Sequence, residues 1–291
     1  MLAWTPRFKA AFVTIHLPLT HVSRHITAQA VAEKASLLDR FLRDSGILRR
    51  IADALEIAPG DTVLEIGPGP GGLTAELAGR ASRLIAIEKD PDLVPALHAR
   101  FPRITIHQGD ALELDWHALA GTGPVRVIGN IPYNITSPLI ERALLPPRPV
   151  CIVYLVQKEV ALRVAAPPGG ADYGALSVGV QAVARVERLF TVAAGAFTPR
   201  PRVDSAVLRL RPRADPLVAD SEVTRFRRFV VGLFGFRRKQ LVRGLRELTS
   251  APPAEVSAWL NAAQLEASLR PQQLDPPSFV RLYRTVSGSR V

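Results

Sequence analysis

Residues 63–74 read V-L-E-I-G-P-G-P-G-G-L-T. An apolar run ends in a cluster of glycines, and the helical pattern G-L-T-A-E-L-A begins at once. Gly67, Gly69 and Gly72 fall in G-x-G-x-x-G spacing between a strand and a helix, where glycine allows a tight turn and close backbone approach. About 20 residues further on, R-L-I-A-I-E ends at Glu88, the tip of a second strand, where an acid can bind ribose hydroxyls. This pattern alone does not separate a dinucleotide from another adenosine cofactor. Pro68 and Pro70 partly break the tie: proline has no N–H, so the loop offers fewer donors to a pyrophosphate. An adenosine cofactor without phosphates fits better, and S-adenosyl-L-methionine is the obvious one. Asp110, in H-Q-G-D-A-L after a third strand, can accept a hydrogen bond from the adenine amine.

Working outward, I-L-R-R-I-A-D-A-L predicts an amphipathic helix with Ile47, Leu48, Ile51 and Leu55 on one side. The third strand is I-T-I-H-Q, the fourth V-R-V-I-G and the fifth V-C-I-V-Y-L-V. Strands separated by helices predict an α/β fold, a parallel sheet covered on both faces, with ligands at the carboxyl ends of its strands. After the extended stretch F-T-P-R-P-R-V-D-S-A-V-L-R-L, the segment R-P-R-A-D-P at 211–216 predicts a boundary. The expected division is an N-terminal extension over 1–33, a catalytic domain over 34–212 and a smaller helical domain over 213–291.

The 291 residues are 47% hydrophobic, ample for a core without disulfides. The single cysteine, Cys151, lies in an apolar run and excludes a disulfide framework or zinc-type ligand spacing, so no metal is expected and the reducing cytoplasm is the expected location. No run of about 18 apolar residues exists, so no membrane partner is expected. The net charge of +11, mostly an arginine excess, fits a nucleic-acid partner because guanidinium forks match phosphate geometry.

Residues 130–139 read N-I-P-Y-N-I-T-S-P-L directly after the fourth strand. Pro132 pushes Ile131 out of the helical region, which leaves Asn130 and Tyr133 at the strand tip. The amine of adenine attacks poorly because its lone pair is delocalised into the ring. The Asn130 side-chain oxygen and the Pro132 carbonyl are two acceptors able to take its hydrogens and turn the lone pair towards a methyl donor, while Tyr133 offers a stacking face. No nucleophilic Ser or Cys is needed. A base within structured RNA must first be flipped out or come from a loop.

N-I-P-Y-N-I-T-S-P-L, E-I-G-P-G-P-G-G-L-T and F-T-P-R-P-R-V-D-S-A-V together resemble the ribosomal RNA adenine N6,N6-dimethyltransferases. The tail, with F-G-F-R-R-K-Q-L-V-R-G-L, L-R-P-Q-Q-L and F-V-R-L, is similar to the small-subunit branch of that family. The resemblance runs from about Lys34 to Leu282. It implies a Rossmann-like, S-adenosylmethionine-dependent domain with a smaller helical one, working as a monomer in small-subunit biogenesis. The implied substrate is a pair of adjacent adenines near the 3′ end of 16S rRNA, within the small ribosomal subunit or its precursor. By motif position, Gly67, Glu88, Asp110 and Asn130 would touch the cofactor. Asn130, Pro132 and Tyr133 would hold the base, with Phe197 closing over it from the other side.

One segment departs from the pattern. The family's K-S-L-G-Q-N-F-L is here K-A-S-L-L-D-R-F-L over residues 34–42, so Leu38, Asp39 and Arg40 replace Gly-Gln-Asn. Arg40 and Leu42 are the expected cofactor contacts there, and an altered cofactor affinity is expected. In the basic tail, Arg225, Arg227, Arg228, Arg237, Arg238, Lys239, Arg243 and Arg246 are expected to meet RNA phosphates, chiefly Arg237, Arg238, Lys239 and Arg243. The interleaved phenylalanines are expected in the core. Three rival readings stand beside this one: a 23S rRNA methylase of the antibiotic-resistance type, a ribosome-assembly factor of weakened catalysis, and a nicotinamide dehydrogenase.

Overall fold

The computed structural model describes residues 41–288. The expectations for 1–33, for Leu38-Asp39 and for Arg40 lie outside the described residues. Strand β1 (Phe41–Leu42) leads into helix α1 (Ser45–Ala54), whose first turn is capped by the Asp44 side chain accepting from Ile47 N at 3.0 Å. The apolar spacing read from the sequence is the face α1 buries, through Leu48, Ile51 and Ala52.

Strands β2 (Thr62–Ile66), β3 (Arg83–Glu88), β4 (Thr105–Gln108), β5 (Val125–Asn130) and β6 (Cys151–Gln157) follow. They alternate with α2 (Gly72–Leu77), α3 (Val94–Arg100), α4 (Trp116–Ala120) and α5 (Thr136–Ala143). After β6 come α6 (Lys158–Ala165), α7 (Ala175–Gln181), β7 (Ala184–Val192), β8 (Phe197–Thr198) and β9 (Ser205–Pro212). The sheet order is β4-β3-β2-β5-β6-β9-β7, parallel from β4 to β6 and antiparallel at β9. The order reverses at β2, flanked by β3 on one side and β5 on the other, so a switch point opens beyond the carboxyl ends of β2 and β5.

At the antiparallel end, the stretch ending S-A-V-L-R-L runs into strand β9 as its pattern implies, whereas β7 was not legible in the sequence. Strand β7 has a mixed pattern of buried and open residues with a register shift between Arg188 and Phe190, which breaks the period-two signal. The central strands, buried on both faces, send alternate residues to two cores. Val63, Ile128 and Val153 join α1 and α2 on one side, while Leu64, Val127 and Ile152 join the other.

The expected boundary between 212 and 213 falls at the end of β9. Beyond it, α8 (Val223–Phe234), α9 (Leu241–Thr249), α10 (Pro253–Ala262) and α11 (Pro276–Gly288) pack on one another and on α7. Phe226, Trp259 and Phe279 belong to the same buried cluster as Ile152 and Tyr154, so these helices share a core with the sheet. Phe234 stacks on Phe279 at 5.5 Å and Phe229 meets Tyr283 at 5.7 Å, which places these rings inside, as their helical spacing implied.

At the amino ends of the strands, Asp61 and Arg126 form a buried ion pair. Arg126 also donates to Leu55 O at 2.8 Å and Asp61 accepts from Ala58 N at 2.6 Å, which ties the end of α1 to β5. Removing one member strands a buried charge. Asp61→Ala is expected to cost about 3–5 kcal/mol in urea unfolding; a loss under about 1 kcal/mol would contradict this account.

Candidate active site

The glycine turn leaves β2 with Gly67, Gly69 and Gly71 all in the left-handed region, at φ 66°, 56° and 84°. Gly71 was not singled out by the spacing, yet a Cβ there would lie 2.4 Å from the Phe101 ring. One on Gly69 would lie 2.8 Å from the ring of Phe41. The turn's backbone donors are consumed internally. Gly67 N binds Ile87 O at 2.9 Å, Gly69 N binds Glu88 Oε2 at 3.0 Å and Gly71 N binds Pro68 O at 2.9 Å. Positions 68 and 70 are prolines, so residues 67–71 have no N–H left for a pyrophosphate. This weighs against a dinucleotide.

Strand β5 brings Asn130 to the same place, because the register pairs Ile66 with Gly129 and so sets Gly67 beside Asn130. Phe41, Leu42, Gly67, Gly69, Asn130 and Leu155 line one small pocket there. A larger cleft of ≈300 Å³ between Trp116, Arg142 and Arg148 opens at the other ends of β5 and β6, away from these residues.

Glu88 is 4% exposed, and besides Gly69 N its other oxygen accepts from Asp90 N at 2.8 Å. Each oxygen keeps a second lone pair, so the carboxylate both shapes the loop and can still accept a hydroxyl. Asp110 accepts from Lys89 Nζ and from Leu112 N, each at 2.8 Å, and these bonds, that from Lys89 first, hold its carboxyl below the usual range.

After Asn130 the chain is held by Ile131 N donating to Leu155 O at 3.0 Å, then turns through Tyr133–Ile135. The Pro132 carbonyl accepts from Ile135 N and from the Thr136 hydroxyl, both at 3.2 Å, so both of its lone pairs are engaged. The Tyr133 hydroxyl lies 2.8 Å from Ser205 Oγ, which anchors the ring to the start of β9. Phe197 sits in β8 opposite Leu42, 4% exposed and packed in the α1-side core. Its ring is therefore covered, and the structure does not bring it face to face with Tyr133 across an open slot.

The sequence reading missed Glu65. It lies inside β2, is 1% exposed and lines the pocket, and neither carboxylate oxygen has a hydrogen-bond partner. Burial raises its pKa to about 8, the neighbouring Thr74 hydroxyl works against the rise without reaching hydrogen-bond geometry, and the Glu88 charge adds to it. A lone acid in an otherwise apolar strand was the available signal. An orphan buried carboxylate beside a donor-free glycine turn fits a cationic, phosphate-free adenosine cofactor.

Among the expected RNA contacts, Arg237, Arg238 and Lys239 are exposed in the turn between α8 and α9, and Arg243 is exposed on α9. Lys239, Arg243 and Arg246 line one groove, where Lys239 pairs with Glu247 at 2.9 Å. Arg227 departs from expectation. It faces inward, donating to Glu141 O at 2.9 Å and lying beside Gly179, because position 227 of α8 packs against α7.

A sequence model described as ribosomal RNA adenine dimethylase matches residues 31–281. The chain belongs to the ribosomal RNA adenine dimethylase family. It is 46% identical to a ribosomal RNA small subunit methyltransferase A of Pseudomonas aeruginosa over 83% of this chain and 90% of the relative. A protein of the same name from Aromatoleum aromaticum is 40% identical over 85% and 92%. Among solved structures, a dimethyladenosine transferase from Plasmodium falciparum superposes with TM-score 0.73 at 25% identity, covering 86% of this chain and 98% of that one. The 23S rRNA methyltransferase ErmE gives 0.66 at 31%, covering 85% and 99%. In this dimethylase the carboxyl-end site at β2 and β5 is therefore the place to look for chemistry.

Glu65 gives a pH signature. A carboxyl with its folded pKa raised holds its proton in the folded chain after losing it in the unfolded one. Its stabilising contribution is complete below about pH 4.5 and drains away up to about pH 8. Without cofactor, stability from this group is expected to fall by up to about 1.4 kcal/mol per pH unit in that window. Denaturation of Glu65→Gln should lack that slope; an unchanged slope would remove the assignment.

Proposed function

We propose that the chain is an S-adenosyl-L-methionine-dependent dimethyltransferase acting on N6 of two adjacent adenines in the 3′-terminal hairpin of 16S rRNA, in the small ribosomal subunit or its precursor. The observation that carries the reading is the convergence of Asn130, the donor-free glycine turn and the orphan Glu65 carboxylate on one pocket at the switch point. Identity of 40–46% to proteins named for the small-subunit reaction supports the substrate. The enzyme works as a monomer in the cytoplasm, and among the described residues no helix is long and apolar enough to cross a membrane.

The residues divide the work. With the cofactor bound, Glu65 would face its positive charge, Glu88 would take the ribose hydroxyls, Asp110 the adenine amine, and Gly67 and Leu42 would shape the walls. When bound, the cofactor supplies an activated sulfonium methyl. The Asn130 side-chain oxygen takes one hydrogen of the target amine and the Pro132 carbonyl the other, the latter once the Thr136 hydroxyl has turned aside. Those two bonds pull the nitrogen out of conjugation and aim its lone pair. Tyr133, braced on Ser205, presents the stacking face, and Phe197 approaches the other side when the β1–β8 ribbon moves. The proton released on each transfer leaves to water. Arg237, Arg238, Lys239 and Arg243 meet RNA phosphates away from the chemistry.

Similarity to ErmE favours one rival, a 23S target, and the position of the modified bases separates the two. Labelled methyl is expected to pass from S-adenosylmethionine to under-methylated small subunits, yielding dimethyladenosine at adjacent positions. Asn130→Ala should lower kcat by about 10²–10³. Transfer to 23S rRNA alone, or an undiminished rate in the variant, would overturn the reading.

A further inference from the structure

The carboxyl ends of the strands are divided by charge. On the side of β2, β3 and β4 lie Glu65, Glu88, Asp90, Asp92 and Asp110, and the cations there are engaged, Lys89 by Asp110 at 2.8 Å and Arg100 by Pro70 O at 2.8 Å. On the side of β6, β9 and the β1–β8 ribbon lie Arg43, Lys158, Arg200 and Arg202, all exposed. Among the described residues no hydrogen bond or ion pair engages any of these four side chains. The neighbouring acids are used elsewhere: Glu159 pairs with Arg163 at 2.7 Å, Asp204 accepts from Ala194 N at 3.0 Å, and Asp44 caps α1. Four uncompensated cations on one rim oppose a row of acids on the other.

We propose that Arg43, Lys158, Arg200 and Arg202 form a phosphate collar that grips the single-stranded RNA backbone on either side of the flipped adenine. The inference rests on the proposed RNA substrate and adds the residues that place it. A single cofactor carboxylate cannot account for four exposed cations, whereas a polyanionic strand entering the mouth can. Two prolines and two backbone hydrogen bonds tie their supports together. Pro199 and Pro201 fix φ around Arg200. Lys158 N donates to Asp204 O at 3.0 Å, which joins the start of α6 to the loop carrying Arg202. Arg43 N donates to Ala196 O at 3.3 Å, which brings the fourth cation to the same ribbon. The loop ends at Ser205, whose hydroxyl lies 2.8 Å from Tyr133. A phosphate held by the loop is thereby held at a set distance from the ring on which the base stacks. The acidic rim opposite repels the same backbone and keeps it off the cofactor side.

The test uses the full chain with Lys158, Arg200 and Arg202 changed together to serine, beside the single variants and an Arg200→Lys, Arg202→Lys control. On under-methylated small subunits the triple variant should raise KM at least about tenfold, leave kcat within about twofold, and leave cofactor affinity by calorimetry unchanged. The slope of log Kobs for an RNA hairpin against log salt should fall by about 0.7 per charge removed, and the lysine control should keep it. Should the triple variant unfold, the single variants carry the same test at about a third of the slope change. Wild-type KM and salt slope in the variants would overturn the collar. A wild-type chain that transfers no methyl, with the slope change intact, would support the collar while sinking the proposed chemistry.

Discussion

The distance between β2 and β5 at their carboxyl ends is the constraint on which the mouth depends. A Cβ on Gly129 would lie 2.5 Å from Ile66 O and 2.8 Å from Ile131 Cδ1. Only a residue without a side chain lets the strands run side by side to their tips there. Gly67 and Asn130 become neighbours as a result, one on each side of the switch point. A glycine at the end of V-R-V-I-G thus does for β5 what the glycines of 67–71 do for β2: it removes atoms so that backbone and ligand can approach.

Around that seam the polar groups are unevenly satisfied, and the pattern is informative. The turn's N–H groups are all spent on the protein, whereas Glu65 has none to receive. A buried carboxylate without partners is costly, and the cost falls when a cation arrives. The turn over 67–71 thus offers no donor to an anion, while Glu65 gains a partner only from a group that brings a proton or a positive charge. The cations sit on the opposite rim, where a nucleic acid would enter. In the proposed reading, charge sorts cofactor and substrate before any specific contact forms.

The two ends of the sheet have different tasks. At the amino ends, Asp61 with Arg126, and Arg209 and Arg211 with Glu56 and Glu187, lock α1 to the strands through short charged bonds. At the carboxyl ends one ion pair, Lys89 with Asp110, stands among bonds to single backbone groups and hydroxyls. Phe197 and the Pro132 carbonyl are both covered here by the protein's own groups. The charged end keeps the frame in register, and the proposed base-binding groups lie at the other end.

How much was legible in the sequence follows from range. Continuous apolar runs declared the buried strands, glycine and proline declared the turns, and Asn130-Ile131-Pro132-Tyr133 declared a strand tip, because each signal is local. Glu65 was passed over because one acid in a strand has no meaning until burial is known. Strand β7 was missed because its bulge erases alternation, and the inward turn of Arg227 depends on which helix face meets α7. The amino-acid order alone determined the α/β alternation, the placing of the glycine turn and N-I-P-Y at strand ends, and the basic tail. Tertiary structure alone decided that those ends meet, that Phe197 lies under cover, and that free cations ring one side of the mouth. Register and burial depend on contacts between residues far apart in the chain, and no local period encodes them.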